Sequence, residues 1–180
     1  QDENLIDPMC GSGTFCTEAS MIKRNIPPGI NRNFSFQKWL DYDVDLFKAL
    51  YKKSLKNIDQ SSKNTIFGSD IEPSYIDGCK EILNRFRYNL GIKFETKNIS
   101  GASSNQSVII TNPPYGKRIE GEKSMSFIDA GLKKLLKNKN RIYVVYPSDN
   151  DFIKSNYEYK IIANIYNGPI PCQFYKLHND

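Results

Sequence analysis

Histidine occurs once in these 180 residues, tryptophan once and cysteine four times, and no apolar run approaches membrane-spanning length. Each scarcity narrows the field. Cys10, Cys16, Cys79 and Cys172 fall at irregular spacings without a Cys-x-x-Cys pair, and His178 has no partner in sequence. A zinc centre or a disulfide framework is therefore a poor reading, and a reduced, cytoplasmic setting is the better one. A spanning helix needs about 20 apolar residues, and nothing resembles a signal peptide, so a soluble protein without membrane attachment is expected. Charge of one sign is also missing: 25 Lys+Arg against 20 Asp+Glu leave +5, which permits a polyanionic partner without requiring one. What is present is ordinary globular composition, 39% hydrophobic, enough for one core and one domain over residues 1–180. The chain opens on Gln1 and reaches a functional-looking motif by Asp7, so it reads as a piece of a longer polypeptide.

Short apolar runs alternate with longer helical patterns, the mark of a parallel sheet wrapped by helices. Leu5-Ile6 is a first strand that turns at Asp7-Pro8-Met9-Cys10-Gly11-Ser12-Gly13-Thr14 into a helix through about Lys23. Residues 25–64 form an excursion with Pro27-Pro28-Gly29, Trp39 and a helix from Val44 to about Lys56 carrying Leu46, Phe47, Leu50 and Leu55. The second strand is Thr65 to Ser69, closed by Asp70, and Pro73 suits the first turn of a helix running to about Leu90. Ile92 to Thr96 is a third strand. Val108-Ile109-Ile110 is a fourth, stopped by Asn112-Pro113-Pro114-Tyr115 because consecutive prolines cannot continue a central strand. A loop-like stretch, Ser100 to Ser107, precedes it. A helix over Ser124 to Lys137, a strand over Arg141 to Tyr146, and closing strands over Tyr157 to Ile165 and Gln173 to Leu177 complete the pattern.

In open α/β sheets ligands bind beyond the carboxyl ends of the strands, near the reversal of strand order. Three segments lie at such ends. Gly11-Ser12-Gly13 lets a ligand approach the backbone and leaves helix-start amides to bind it; a tight strand-to-helix turn is the plainer reading. Asp70 can accept hydrogen bonds from both hydroxyls of a ribose, although capping the following helix explains it too. A nicotinamide enzyme places its acidic residue about 20 positions past the glycines, and Asp70 is far beyond that.

Asn112-Pro113-Pro114-Tyr115 is the most specific signal. An amino group on an aromatic base is a poor nucleophile, because its lone pair is delocalised into the ring. The side-chain oxygen of Asn112 and the carbonyl of Pro113 can bind the two amino hydrogens and direct that lone pair at an electrophilic methyl. Prolines stiffen the turn before substrate arrives. Tyr115 offers a flat face for an unpaired or flipped base, and such stacking is worth about 1–3 kcal/mol. The plain alternative is a rigid proline turn with a surface tyrosine.

At these residues the chain resembles the class I methyltransferase domain of the THUMP-associated 23S rRNA guanine-N2 methyltransferases, the UPF0020-type family. The resemblance runs through Leu5 to Thr14, Glu18-Ala19, Ile26-Pro27-Pro28-Gly29 with Asn31-Arg32, Trp39 and Phe67-Gly68-Ser69-Asp70. It continues over Asn112 to Arg118 and ends at Asn167-Gly168-Pro169-Ile170 followed by Cys172. It implies an α/β, Rossmann-like fold: a seven-stranded, mostly parallel sheet with an antiparallel C-terminal strand and helices on both faces. It implies S-adenosyl-L-methionine as cofactor; no metal is expected, given the scarce Cys and His. Asp7, Cys10, Gly11, Ser12, Gly13 and Thr14 would hold the methionine part, and Asp70 with Ile71 the ribose side. The family has an acidic residue for the adenine amino group where this chain has Asn98, whose uncharged oxygen makes a weaker contact. Asn112, Pro113 and Tyr115 would be catalytic, and Pro114, Tyr115, Lys117 and Arg118 would bind substrate. The implied partner is 23S ribosomal RNA, and the implied upstream region carries the THUMP domain; a monomer is expected.

Other residues have mostly structural readings. Trp39 suits core or helix packing, Asp41 and Asp43 suit capping of the Val44 helix, and Lys133, Lys134, Lys137, Lys139 and Arg141 suit a solvated face. Cys10 and Cys16 read as small buried residues, not nucleophiles. Two rivals to guanine methylation remain: an adenine-N6 methyltransferase acting on DNA, and a catalytically silent RNA-binding domain of the same fold.

Overall fold

Runs rich in Ile, Val and Phe between glycine- or proline-bearing turns become strands, and the amphipathic stretches between them become helices. The computed structural model describes residues 3–30, 32–61, 65–116 and 122–178. In chain order they form β1 (Leu5–Asp7), α1 (Thr14–Lys23), α2 (Val44–Leu55), β2 (Ile66–Asp70), α3 (Pro73–Arg85), β3 (Ile92–Thr96) and β4 (Val108–Thr111). They continue with α4 (Glu122–Lys137), β5 (Arg141–Pro147), α5 (Phe152–Asn156), β6 (Glu158–Asn167) and β7 (Ile170–His178). The sheet has seven strands in the order β3-β2-β1-β4-β5-β7-β6. Strands β1 to β5 pair in parallel, and β7 runs antiparallel to both β5 and β6. The seven-stranded α/β architecture implied by the resemblance is the one observed. Strand order reverses between β1 and β4, which opens the crevice where ligands bind in this architecture.

Two apolar clusters hold the sheet between helices. Leu5 packs with one and Ile6 with the other, and neighbouring strand residues point to opposite faces, so the clusters lie on opposite sides. The first joins Cys16 and Met21 of α1 and Ile76 and Cys79 of α3 to Ile66 and Ile92. The second sets Ile128, Leu132, Leu135 and Leu136, one stripe of α4, against Ile109, Ile142, Val144, Tyr146 and Tyr175. Each fully buried aliphatic side chain contributes about 1.5–3 kcal/mol.

Asn140 seals the end of α4. Its oxygen accepts from the Ser107 amide at 2.9 Å and the Ser104 hydroxyl at 3.1 Å. Its amide donates to the carbonyls of Leu135 at 2.8 Å and Ser104 at 3.0 Å.

Several boundaries differ from expectation. Helix α3 stops at Arg85 and not near Leu90, because Phe86 is extended (φ −82°, ψ 134°) and Phe86, Tyr88 and Leu90 turn into the first cluster. The Ser20 hydroxyl and Arg24 Nε then hold the carbonyls of Leu90 and Asn89. Short elements escaped the periodicity reading: α5, and 3-10 turns at Ser35–Lys38 and Ile99–Gly101. Asp43 does cap α2, accepting from the Asp45 and Leu46 amides at 3.0 and 2.8 Å. Trp39, read as a packing residue, is instead 65% exposed and meets Phe36 only edge-on at 6.5 Å. Its neighbours Phe34, Phe36, Tyr42, Phe47 and Tyr51 pack on one another, which leaves the outer side of α2, Leu46 and Leu50 included, exposed. On β6 the pairing register shifts between Ile161 and Ala163.

Candidate active site

The three turns singled out in the sequence converge at the carboxyl ends of β2, β1 and β4, which are adjacent strands. Asp7 ends β1, Asp70 ends β2 and Asn112 follows the last residue of β4. Strand spacing of about 4.8 Å sets Asp70 and Asn112 about 10 Å apart, with the Asp7 turn between them.

That turn is built on glycine. Gly13 has φ +75°, and a Cβ there would meet Phe94 Cζ at 2.8 Å and Cys79 Sγ at 2.9 Å, so both its conformation and its packing require glycine. Gly11, at φ +51°, is different, since a Cβ on it would meet nothing within 4 Å. Its open side meets none of the described residues, the space a ligand needs. Among the described residues no side chain caps the start of α1. One amide left for a ligand by the sequence reading is already used: Gly11 N–H donates to Asp70 Oδ2 at 2.9 Å.

Asp70 does not cap α3, contrary to the plain alternative. Glu72 holds the cap position, and Asp70 Oδ1 accepts from its amide at 3.0 Å. Each carboxylate oxygen keeps a second lone pair, so the group ties the β1 and β2 turns together and still has capacity for hydroxyl donors. Ile71 beside it is 66% exposed. Asn98 is brought close when the Lys97 amide donates to the Asp70 carbonyl at 2.8 Å. Its own oxygen accepts from the Ser100 amide at 2.9 Å, which commits one of its lone pairs to the chain.

Asp7 is 2% exposed. Burial pushes its carboxyl up to about 7, the Met9 amide and the nearby Thr111 hydroxyl pull it down, and the Asp70 charge pushes it up. The Thr111 hydroxyl exerts that pull without a well-formed hydrogen bond. Cys10 and Cys16 are buried as expected, and burial pushes both thiols far above their ordinary value, which keeps them protonated. Ser12 and Thr14 pair their hydroxyls at 3.2 Å on the exposed side of the turn.

At the β4 turn, Pro113 is buried and Pro114 and Tyr115 are half-buried. Asn112 Oδ1 is buried and accepts no hydrogen bond among the described residues. Unmet buried acceptors are rare and costly, about 1–3 kcal/mol each. A donor docked against the turn would satisfy this one once the side chain turns toward it. Tyr115 packs edge-to-face on Tyr146 at 5.6 Å and 80°, and its hydroxyl accepts from Asn167 Nδ2 at 2.7 Å. Lys117, Arg118 and Asn31 lie outside the described residues. The basic stretch is partly structural: Lys133 pairs with Asp129 at 2.9 Å, and Lys134 donates to the Ser100 carbonyl at 3.1 Å.

Sequence reasoning missed three site groups. Thr111, just past the predicted fourth strand, and Tyr146, read only as a strand residue, both carry buried hydroxyls with no well-formed hydrogen bond among the described residues. Asn167 was named only within the Asn167-Gly168-Pro169-Ile170 motif of the resemblance, with no role given to it.

The chain has counterparts among known proteins. A tRNA (guanine(6)-N2)-methyltransferase of Methanocaldococcus jannaschii is 31% identical over 194 residues, covering 98% of this chain and 49% of that protein. A ribosomal RNA large subunit methyltransferase K/L of Hahella chejuensis is 29% identical over 191 residues, covering 97% of this chain and 26% of that protein. Among solved structures, a methyltransferase complexed with SAH superposes with a TM-score of 0.86 at 26% identity, over 99% of this chain and 48% of that one. The chain thus spans half or less of the length of these proteins. Its residues 1–174 match the model of the RMKL-like methyltransferase domain, and the chain belongs to that family, UPF0020.

Proposed function

We propose that the protein transfers a methyl group from S-adenosyl-L-methionine to the exocyclic N2 amino group of a guanine in RNA, with 23S ribosomal RNA as the substrate. Asn112 Oδ1, buried on a proline-stiffened turn and unpartnered among the described residues, carries the reading. The cofactor fits the residues present: the open side of Gly11, the spare lone pairs of Asp70 and the exposed Ile71 suit its amino acid, ribose and base in turn. When bound it supplies an electrophilic methyl on a sulfonium.

The chain's own work is positioning. Asn112 Oδ1 and the Pro113 carbonyl take the two amino hydrogens, which localises the nitrogen lone pair, and Tyr115 holds the base plane. A donor held at the Gly11 and Asp70 turns would supply the methyl to the nitrogen so oriented, and the alkylated amine would give its extra proton to solvent. Preorganised geometry of this kind supplies up to about 7–11 kcal/mol of a barrier. The relatives named for guanine-N2 and large-subunit RNA methylation support the substrate class. The wider reading is a monomeric, cytoplasmic enzyme in which this domain follows an upstream RNA-binding region.

Asn112→Ala tests it. Methyl transfer from radiolabelled donor to ribosomal RNA should fall at least 100-fold while calorimetric cofactor affinity stays within about twofold. Undiminished transfer, or transfer to DNA in place of RNA, defeats the proposal.

A further inference from the structure

We propose that Asn167, at the tip of the β6–β7 hairpin, is a positioning residue that sets the plane of the Tyr115 ring on which the target base stacks. The inference rests on the stacking role given to Tyr115 above. A tyrosine following two prolines has a fixed backbone, but its ring still turns about two side-chain bonds. Two contacts restrain it. The edge-to-face contact with the fully buried Tyr146, at 5.6 Å and 80°, fixes one side of the ring and uses at most one of its faces. The Asn167 amide then ties down the hydroxyl, the atom farthest from the backbone, at 2.7 Å.

The topology explains why a residue 52 positions away can do this. Because β7 is antiparallel to both neighbours, β6 runs in the direction of β5 and ends where the parallel strands end. The hairpin tip therefore stands at the rim of the crevice. It is also anchored there: the Ser148 amide, just past β5, donates to the Pro171 carbonyl at 3.0 Å, and Lys154 holds the Ser148 carbonyl at 2.6 Å. Gly168, at φ +60°, lets the chain reverse within two residues of Asn167. An exposed asparagine on an anchored tip has no evident folding role, and its partner is the ring that the chemistry needs held still.

The test has two arms. In the first, carbon-13 resonances of the Tyr115 ring, assigned through Tyr115→Phe, are compared in wild type and Asn167→Ala. The loss of one hydrogen bond should shift them and speed ring flipping. In the second, kinetics on ribosomal RNA form a double-mutant cycle. Asn167→Ala should lower kcat/KM about tenfold with cofactor affinity unchanged, and the same substitution in the Tyr115→Phe background should cost less than twofold. Unchanged ring resonances overturn the proposal, as does full activity of Asn167→Ala or an equal loss in both backgrounds. A wild-type protein inactive on RNA sinks the functional reading instead, and the ring resonances still decide the positioning.

Discussion

Replacing Asp7 with Asn should change how stability depends on pH. The carboxyl is buried and titrates at about 7 in the folded protein, against an ordinary value of 3.8. Below about pH 4 the group is protonated in folded and unfolded chains alike, and it contributes no difference. As pH rises from about 4 to 7 the unfolded chain releases this proton while the folded one retains it, so the native state loses stability. Above about 7 both are ionised and the loss levels off. A shift of about 3 pH units corresponds to about 4 kcal/mol. Asparagine has nearly the same shape and no titration. Its fixed effects on packing and hydrogen bonding displace the whole curve without tilting it. Urea unfolding followed by far-UV circular dichroism, without donor, at several values between pH 4 and 8, measures the effect; Trp39 is too exposed to serve as a fluorescence probe. The stability of Asp7→Asn relative to wild type should climb by about 4 kcal/mol across that range. Parallel curves would refute the account of Asp7 as a carboxyl held in a desolvated corner.

Three further outcomes follow from the geometry. Asp70→Ala removes the acceptor of the Gly11 and Glu72 amides, and calorimetry should show cofactor affinity at least tenfold weaker. Gly13→Ala forces a methyl into Phe94 and Cys79 and should cost about 2 kcal/mol or more of stability, whereas Gly11→Ala meets open space and should cost only about 1 kcal/mol in urea unfolding. Asn140→Ala leaves the Ser107 amide and the Leu135 and Ser104 carbonyls unmatched and should destabilise the fold by about 2–4 kcal/mol, read as a lower urea midpoint.

The strands and the chemistry-bearing turns were legible because each is a local pattern: an apolar run, then glycine, aspartate or proline at its end. What escaped depends on tertiary contact. Helix α3 keeps helical periodicity past Arg85, yet the first cluster draws Phe86 and Leu90 out of it. Trp39 has the composition of a core residue, but the aromatic group beside it closes without it. The use of the Gly11 amide by Asp70 spans 59 positions, and the reach of Asn167 to Tyr115 requires knowing that β7 lies between β5 and β6. The unmet acceptor on Asn112 is likewise a property of burial, which no spacing reveals.

The register shift between Ile161 and Ala163 protects the molecule as well as bending a strand. Strand β6 ends the sheet, and its side chains at 161 and 162 are 40% and 46% exposed, so a straight edge there would be a template for runaway association. With the ladder interrupted midway and Lys160 next to the break, an incoming strand finds matching amides on one side only. At this edge, the break makes β6 a poor template for an eighth strand.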